Sequence, residues 1–229
     1  MQTLTKYLGK EKYPGRGMLV GRLEDKRLFI IYFLMGRSNE SRNRVIRSTD
    51  GVVKVEKFDL SIQSADYILY QPVKIVGNAL VASSGDQMDA IVKALDDWDT
   101  FDSALMMKVA EKSEEGHKRP RLSLIVNLDT EEVEISLVKE DGDVNERFFF
   151  IYDKIKANSA YFISTYSDGT KGKAFSGEPM KVSLSGSISK IAGDIWSTLD
   201  EENKVSLYAA VIENGAIREE IIKNKLQEK

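Results

Sequence analysis

Cysteine is absent from this chain of 229 residues, and histidine occurs only once, at His117. Without cysteine the chain forms no disulfides, thiol nucleophiles, iron–sulfur ligands or thiolate zinc sites. A single histidine provides no HExxH pair for zinc, and His117 lies in a charged segment without a nucleophile-elbow motif. We therefore predict no metal site and interpret His117 as an ordinary surface residue. The lack of cysteine suits a reducing cytoplasm, which is the location we expect.

Several other signatures are also missing. The chain has no GxxxxGK[ST] loop and no GxGxxG that opens a helix, so we expect neither ATP hydrolysis nor a dinucleotide cofactor. No apolar run approaches the roughly 20 residues that cross a membrane, and MQTLTKYLGKEK at the start lacks an apolar signal region. The formal net charge is −3, so no overall field attracts nucleic acid. We predict that the chain binds neither membrane nor nucleic acid.

The pattern of apolar residues predicts a sheet-rich protein of one domain, residues 1–229. Runs of strand length bounded by turn residues dominate both halves of the chain. The predicted strands cover residues 18–24, 27–35, 45–47, 52–60, 67–82 as a hairpin, 121–127, 133–138, 147–152, 160–165 and 205–212. Antiparallel strands with segregated helices favour the α+β class, with two sheets between helices.

Helical spacing predicts a helix after a Ser84 cap, a second from a Thr100 cap to about Glu111, and a third over residues 188–199. The last 14 residues, AIREEIIKNKLQEK, are interpreted as a short helix and a candidate interface of a homo-oligomer. We expect residues 1–12 to be a polar lead-in and residues 166–186 to be mobile.

Residues 13–47 are the densest in groups that bind ligands. Five arginines fall within the segment and alternate with small polar residues and glycines; these are Arg16, Arg37, Arg42, Arg44 and Arg47, with Ser38, Asn39 and Asn43 between them. A guanidinium fork matches phosphate or carboxamide oxygens two at a time, which lysine does not do. Between the glycine–arginine pairs lies the run RLFIIYFLM, which predicts a buried strand. We interpret the segment as a phosphate- and substrate-orienting loop, with a solvated basic turn as the alternative.

Tyrosines form a second concentration, because Tyr67 and Tyr70 lie beside Gln71 and Lys74. Half-buried tyrosines of a sheet are the simpler interpretation of both. Thiol chemistry is excluded, metal and triad chemistry are poorly supported, and a magnesium site made of carboxylates alone stays open. The remaining chemistry is orientation by arginines, tyrosines and one carboxylate. Such a set could catalyse an intramolecular condensation, since near-attack geometry supplies on the order of 7–11 kcal/mol at best.

Several motifs together resemble the archaeal-type IMP cyclohydrolase family. They are Tyr13-x-Gly15-Arg16, Gly36-Arg37-Ser38, Ser41-Arg42-Asn43-Arg44, the stretch DYILYQPVKIVGNALVASSGDQMD, Arg119-Pro120-Arg121 and YFISTY. The resemblance implies closure of formamidoimidazole carboxamide ribotide (FAICAR) to inosine monophosphate with loss of water, in de novo purine synthesis. It also implies the four-layer αββα sandwich of the N-terminal-nucleophile hydrolases. Arg119 replaces the family's threonine, and Gln71 stands where asparagine is usual.

The resemblance also implies roles for individual residues. Arg42 or Arg44 would stabilise the formyl oxygen, and Tyr70 would donate to the same centre. The family glutamate matches Glu111 best, with Glu114 as the alternative. The expected substrate-binding residues are Tyr13, Arg16, Arg37, Ser38, Asn39, Asn43, Tyr67, Gln71, Lys74, Asp89 and Arg121.

Three rival functions stay open at this point. The first is an amidohydrolase of the same fold that acts on a related ribotide or amide. The second is a regulatory module that binds purine ribotides without turnover. The third, an RNA-binding protein that uses the arginine loop, is disfavoured by the net charge and by the lack of an aromatic-basic signature.

Overall fold

A computed structural model describes residues 2–62, 69–112, 118–168 and 172–228 of the chain. The helices of these ranges are α1 (Gln2–Lys10), α2 (Asn39–Arg42), α3 (Gln87–Asp96), α4 (Phe101–Met106) and α5 (Ile188–Thr198), followed by a 3-10 turn at Lys225–Gln227. The strands are, in chain order, β1 (Arg16–Arg22), β2 (Leu28–Met35), β3 (Arg44–Thr49), β4 (Val52–Lys57), β5 (Val73–Val76), β6 (Ala79–Ser83), β7 (Glu111–Lys112), β8 (Lys118–Arg119), β9 (Arg121–Asn127), β10 (Val133–Asp141), β11 (Val144–Tyr152), β12 (Ser159–Ser164), β13 (Tyr166–Asp168), β14 (Lys173–Ala174), β15 (Met180–Ser183), β16 (Lys204–Glu213) and β17 (Ala216–Asn224).

Two antiparallel sheets dominate the molecule. The first has six strands in the order β15-β12-β1-β2-β16-β17, and the second has five in the order β11-β10-β9-β6-β5. The pairs β3-β4, β7-β8 and β13-β14 form separate two-stranded ribbons. The predicted α+β class is confirmed. In the described ranges, residues in strands far outnumber residues in helices.

Strand β2 shows why the run LFIIYFLM is apolar without interruption. Every residue of the strand is buried, because neighbouring side chains point to opposite faces and both faces are covered. Ile30 and Tyr32 face a cluster shared with the five-stranded sheet. Ile31 and Phe33 face a cluster shared with α1 and α5. The predicted buried strand at this position is confirmed.

Three apolar clusters hold the elements together. One lies between the two sheets and joins side chains such as Val20 and Leu124. A second joins the other face of the six-stranded sheet to α1 and α5, through residues such as Leu4 and Ile191. The third joins the other face of the five-stranded sheet to α3 and α4.

Local signals placed several elements correctly. Asp50 and Gly51 both have positive φ, of 51° and 75°, as a two-residue type I′ hairpin turn requires. The Oγ1 of Thr100 accepts a hydrogen bond from the backbone N–H of Ser103 and begins α4. The predicted helix at residues 188–199 is confirmed as α5, which Ser187 caps.

The two chain ends differ from the predictions. The polar lead-in is helical, and α1 packs Leu4 and Leu8 onto the six-stranded sheet, one turn apart. The C-terminal helix is wrong, because residues 216–224 form β17 and pair with β16. The Asn214-Gly215 pair, with φ of 52° and 70°, makes the hairpin turn that the sequence interpretation overlooked.

The central helices and the later loop also need correction. Ser84 does not cap α3, since its hydroxyl accepts instead from the backbone N–H of Leu122, at 2.9 Å. Helix α4 ends at Met106 rather than near Glu111, which belongs to β7. The supposedly mobile residues 166–186 contain β13, β14 and β15 in their described part. Tyr67, Glu114 and His117 lie outside the described residues.

In the described ranges, no helix has both the length and the apolar character that a membrane crossing demands.

Candidate active site

Five buried side chains from distant parts of the sequence meet beside the sheets. They come from the start of β1, from β2, from the start of β3, from the loop before β5 and from β7: Arg16, Tyr32, Arg44, Tyr70 and Glu111. Each is at most 9% exposed. We call this set the arginine–tyrosine cluster. Four of its members were predicted as site residues, and the structure brings them together.

The strongest interaction in the cluster is an ion pair. The Nη1 of Arg16 donates to the Oε2 of Glu111 at 2.8 Å, with side chains only 6% and 4% exposed. Charges are kept in such a place only when they are paired and hydrogen-bonded. The pair therefore fixes the short β7 ribbon to the start of β1, across 95 positions of sequence.

The two tyrosines of the cluster touch through their hydroxyl groups. The Tyr32 and Tyr70 oxygens are 2.5 Å apart. The guanidinium carbon of Arg16 lies 5.3 Å from the centre of the Tyr70 ring, within cation–π range. Burial first, and then the neighbouring Tyr70, raise the pKa of Tyr32 well above its ordinary value. The Tyr32 hydroxyl therefore carries its proton at neutral pH.

Arg44 supplies a second buried cation. Its Nε donates to the carbonyl of Ser41 at 2.7 Å, and its Nη2 donates to the carbonyl of Met35 at 3.0 Å. These bonds connect the end of β2 to the turn after α2. Burial lowers the pKa of Arg44. The side chain stays charged, because arginine is effectively always protonated in proteins.

The electrostatics of the cluster favour bound negative charge. Burial acts to lower the pKa of Arg16, but Glu111 and the two tyrosines raise it by more. The net result is a pKa well above its ordinary value. The cluster contains two buried guanidinium groups and one buried carboxylate, which leaves an excess of positive charge in a place with little water. Preorganised cations of this kind stabilise an oxygen that gains charge during a reaction.

Two atoms of the ion pair have no protein partner in the described part of the chain. They are the Nη2 of Arg16, a donor, and the Oε1 of Glu111, an acceptor, and both are buried. Buried polar groups are nearly always hydrogen-bonded, so an unpaired donor next to an unpaired acceptor calls for an explanation. A ligand with both an acceptor and a donor would satisfy the two atoms together.

Tyr13 and Arg37 form a stacked column with Tyr166. The guanidinium carbon of Arg37 lies 3.9 Å from the centre of the Tyr13 ring, and the rings of Tyr13 and Tyr166 stack at 5.9 Å. Gly15 makes this possible, because a Cβ there would come 2.2 Å from the Oγ1 of Thr165. Thr165 also bonds the backbone N–H of Arg16 at 3.0 Å, which connects the column to the cluster.

Arg121 is held on the opposite flank, close to Glu111. It forms an ion pair with Asp86 and donates to the Oε1 of Gln87 at 3.0 Å. Gly85 lies between the two groups, since a Cβ on it would be 3.5 Å from the Oε1 of Glu111 and 3.6 Å from the Nη1 of Arg121. Because residue 85 is glycine, no side chain from this position contacts the unpaired oxygen of Glu111.

Three side chains fix the backbone that leads into Glu111. Arg147 donates to the carbonyl of residue 108, and Arg121 donates to the carbonyl of residue 109. Asn145 accepts from the N–H of residue 110. The bond to Asn145 uses the N–H of residue 110, which a helix through Glu111 would donate to the carbonyl of residue 106, so the longer predicted helix does not form. We call the three side chains the backbone clamp.

A surface cleft of about 620 Å³ borders the cluster at Tyr70. Two predicted substrate-binding residues, Gln71 and Asp89, line it with Tyr70. Basic side chains from the β3-β4 ribbon, Arg47, Lys54 and Lys57, line the same cleft. The cleft is therefore an approach to Tyr70 from the solvent.

The remaining predicted residues have other surroundings. Ser38 caps α2 in a reciprocal bond with Ser41, which sets the exposed Asn39 at the first helical position. Arg42 is exposed and donates to the carbonyl of Gly36 and to Asn203. Asn43 is buried and holds the backbone of Asp59 through two bonds.

Lys74 lies half-buried in β5. Its neighbour Val73 faces the core between the sheets, so Lys74 points to the sheet face that carries α3. The described contacts do not join it to the arginine–tyrosine cluster. Tyr67 falls outside the described residues.

Sequence reasoning missed Tyr32, Gln87 and Tyr166. Tyr32 was hidden inside the apolar run of β2, where its hydroxyl was the only polar signal. Gln87 is fully buried and bridges Arg121 to the carbonyl of Leu122. Tyr166 ends the motif YFISTY, which contributed to the family resemblance without a residue role.

The described residues contain no group of three or more acidic, histidine or cysteine side chains placed to hold a metal ion. The carboxylates in and beside the cluster, Glu111 and Asp86, each form an ion pair with an arginine. The donor set is therefore cationic and phenolic, which suits anionic or polar organic ligands.

Comparisons with known proteins give one consistent result. The model of a family described as IMP cyclohydrolase-like protein matches residues 13–216. An IMP cyclohydrolase of Methanococcus aeolicus is 29% identical over 157 residues, 67% of this chain and 74% of the relative. IMP cyclohydrolases of Methanopyrus kandleri and Methanocaldococcus jannaschii are 29% and 25% identical, each over 68% of this chain and over 76% and 73% of the relatives. With most of its length matched by the family model, the chain belongs to the IMP cyclohydrolase-like protein family.

Proposed function

We propose that this chain is an IMP cyclohydrolase, which closes FAICAR to inosine monophosphate and releases water. Membership of the family and relatives named IMP cyclohydrolase support the activity. One observation supports the arginine–tyrosine cluster as the site of this activity. It is the unpaired donor of Arg16 beside the unpaired acceptor of Glu111. A carboxamide next to a formyl group offers the matching acceptor and donor.

The reaction joins two groups of one substrate. The carboxamide nitrogen attacks the formyl carbon, and a C–N bond forms while the formyl oxygen takes up negative charge. The carboxamide nitrogen then loses one proton, and the formamido nitrogen loses another as it forms a C=N bond to the former formyl carbon. The oxygen takes up both protons, and the C–O bond breaks to release water. No covalent enzyme intermediate is needed, because the nucleophile belongs to the substrate.

Four of the five members of the cluster have a proposed role in this reaction. The Oε1 of Glu111 accepts the proton that the carboxamide nitrogen loses. Arg44 and the free Nη2 of Arg16 stabilise the charged oxygen. Tyr70 donates its hydroxyl proton to that oxygen as it leaves. The burial of Arg44 and the exposure of Arg42 support Arg44 for this role.

The flanking residues bind the rest of the ribotide. Arg37 and Tyr13 offer a cation over an aromatic ring, and Arg37 with Arg16 holds phosphate or carboxamide oxygens. Arg121 orients the region next to Glu111. The other proposed contacts with the substrate are Ser38, Asn39, Asn43, Tyr67, Gln71, Lys74 and Asp89.

We also propose that the fold is the four-layer αββα sandwich of the N-terminal-nucleophile hydrolases. The three apolar clusters support it, since each lies between a sheet and either the other sheet or a pair of helices. Superposition of a crystal structure of this chain on members of that superfamily tests the arrangement. We propose the cytoplasm as the location of this biosynthetic enzyme. A localisation experiment that places the protein elsewhere would contradict this.

The activity is tested by incubating the purified protein with FAICAR and following the ultraviolet spectrum of inosine monophosphate. We expect product without ATP and in the presence of a chelator. Tyr70→Phe should lower kcat about a hundredfold, while the surface variant Asp194→Asn should match the wild type. A folded wild type that forms no product would refute the proposal. Hydrolysis of FAICAR without ring closure would favour an amidohydrolase, and binding without turnover a regulatory module.

The phosphate contact has a separate test. The nucleoside form of FAICAR should show a strongly raised KM if Arg16 or Arg37 binds the phosphate. An unchanged KM for the nucleoside would remove phosphate binding from the proposal and leave the ring closure in place.

A further inference from the structure

Tyr32 belongs to the arginine–tyrosine cluster but lies behind it. It is fully buried in the middle of β2, between Met18 of β1 and Tyr208 of β16. In the described part of the chain, the hydroxyl of Tyr32 has a single hydrogen-bond partner, the hydroxyl of Tyr70. In the described ranges, Tyr32 is therefore connected by hydrogen bonding to a bound substrate only through Tyr70.

A hydrogen bond between two hydroxyls uses one of their two protons. In one arrangement Tyr70 donates to Tyr32, and the proton of Tyr32 then points into the core. In the other arrangement Tyr32 donates to Tyr70, and the proton of Tyr70 is left to point away from the pair. The two arrangements give the substrate different groups, because only the second presents a donor to it.

The surroundings of the pair favour the second arrangement. A proton of Tyr32 turned away from Tyr70 would meet apolar core without an acceptor, which costs free energy. Tyr70 is one of the residues that line the cleft, and the proposed function gives its hydroxyl proton an acceptor, the reacting oxygen of the substrate. Accepting a bond from Tyr32 also polarises the Tyr70 hydroxyl and makes it a better donor.

We propose that Tyr32 is a positioning residue that donates its hydroxyl proton to Tyr70 and thereby directs the Tyr70 proton at the reacting oxygen of the substrate. The inference rests on the proposed function, because it gives Tyr70 the role of the group that touches that oxygen. It adds a specific cause for the donor state of Tyr70, which the ion pair of Arg16 and Glu111 does not determine.

A double-mutant cycle tests this coupling with Tyr32→Phe, Tyr70→Phe and the double variant. We expect Tyr32→Phe to lower kcat about tenfold with KM changed less than about twofold, since the proton is misdirected without loss of binding. Tyr70→Phe should lower kcat about a hundredfold. The double variant should be no slower than Tyr70→Phe alone, because Tyr32 has nothing left to direct.

Tyr208→Phe is the matched control. Tyr208 is also fully buried and stands directly opposite Tyr32 in the neighbouring strand, but its hydroxyl donates to Glu220 at 2.6 Å. This variant removes a comparable buried hydroxyl without touching Tyr70, so kcat should stay within about twofold of the wild type. An equal loss in both variants would show a general effect of sheet packing and would overturn the inference.

The outcomes separate the two proposals. A folded wild type without activity on FAICAR refutes the proposed function itself. An active wild type with multiplicative losses in the double variant, or with the Tyr32→Phe effect confined to KM, refutes only the role of Tyr32. A neutron crystal structure of the wild type reads the same proton without any variant. A proton on Tyr32 that points to Tyr70 supports the inference, and the opposite direction overturns it.

Discussion

Replacing Glu111 by glutamine separates the stabilising part of the buried ion pair from its proposed chemical part. Glutamine keeps the shape of the side chain and removes the charge, so Arg16 stays buried as a cation without its counterion. Breaking a buried pair in this way costs about 3–5 kcal/mol. The side chains are only 6% and 4% exposed, so solvent does little to reduce the cost. For a chain of this size, where 1 kcal/mol shifts Tm by about 2–4 °C, we expect Tm to fall by about 6–20 °C.

Urea and thermal unfolding measure this loss against two comparison variants. Asp194→Asn breaks the exposed Lys190–Asp194 pair on α5 and should cost less than about 0.5 kcal/mol. The double variant Arg16→Met/Glu111→Leu removes both charges of the pair and should recover most of the stability that Glu111→Gln loses. It should nevertheless form no inosine monophosphate, because both proposed reacting groups are gone.

Two results would contradict this reasoning. A cost below about 1 kcal/mol for Glu111→Gln would mean that water reaches Arg16 and replaces the carboxylate. A double variant less stable than Glu111→Gln would mean that the pair is a net stabiliser of the fold rather than a site held at a cost.

Three further predictions concern other parts of the site and fold. Arg44→Lys should lower kcat/KM about a hundredfold, because lysine cannot reach two backbone carbonyls and the substrate oxygen, while Arg42→Lys should change it less than about threefold; steady-state kinetics compares the two. Gly15→Ala should destabilise the protein by about 2 kcal/mol or more, since φ is +77° and the new Cβ meets Thr165; urea unfolding measures it. Burial and nearby carboxylates raise the pKa of Glu134 to about 7, so wild-type stability from this group falls as pH rises from about 4.5 to 7. Glu134→Gln should therefore gain Tm relative to the wild type at pH 8 but not at pH 4.5, as scanning calorimetry would record.

The sequence was most informative where the signal was local and repeated. The spacing of Ile188, Ile191 and Ile195 identified α5, and the Asp50-Gly51 pair identified its hairpin. The apolar run of β2 was recognised because both of its faces are covered. Each of these features depends on residues a few positions apart, so no knowledge of the tertiary structure was needed.

Long-range pairing decided the elements that were mispredicted. Residues 216–224 contain good helix formers, but partners along β16 outweigh that preference. Helix α1 has only two buried leucines in a polar stretch, and they become informative only when the sheet beneath them is known. The end of α4 could not be predicted, because the N–H of residue 110, which a longer helix would use, donates instead to Asn145 of the distant strand β11.

The site was predicted in part for the same reason. Motifs indicated Arg16, Arg44, Tyr70 and Glu111, which the structure places side by side, while their roles stay predictions. Their neighbourhood could not be derived from spacing, since Arg16 and Glu111 are 95 positions apart. Tyr32 could not be distinguished from a core aromatic until the hydroxyl of Tyr70 was found next to it.

The backbone clamp has a consequence for how this site tolerates change. Its three anchors, Arg121, Asn145 and Arg147, form hydrogen bonds to the backbone of three successive residues, 108, 109 and 110, just before Glu111. Replacing any one of the three side chains leaves the other two hydrogen bonds in place. Glu111 would therefore shift slightly and would not lose its position altogether. Two of the anchors sit on β11, the outermost strand of its sheet. Substitutions in the edge strand β11 can therefore change the position of the Glu111 carboxylate without replacing a residue of the site.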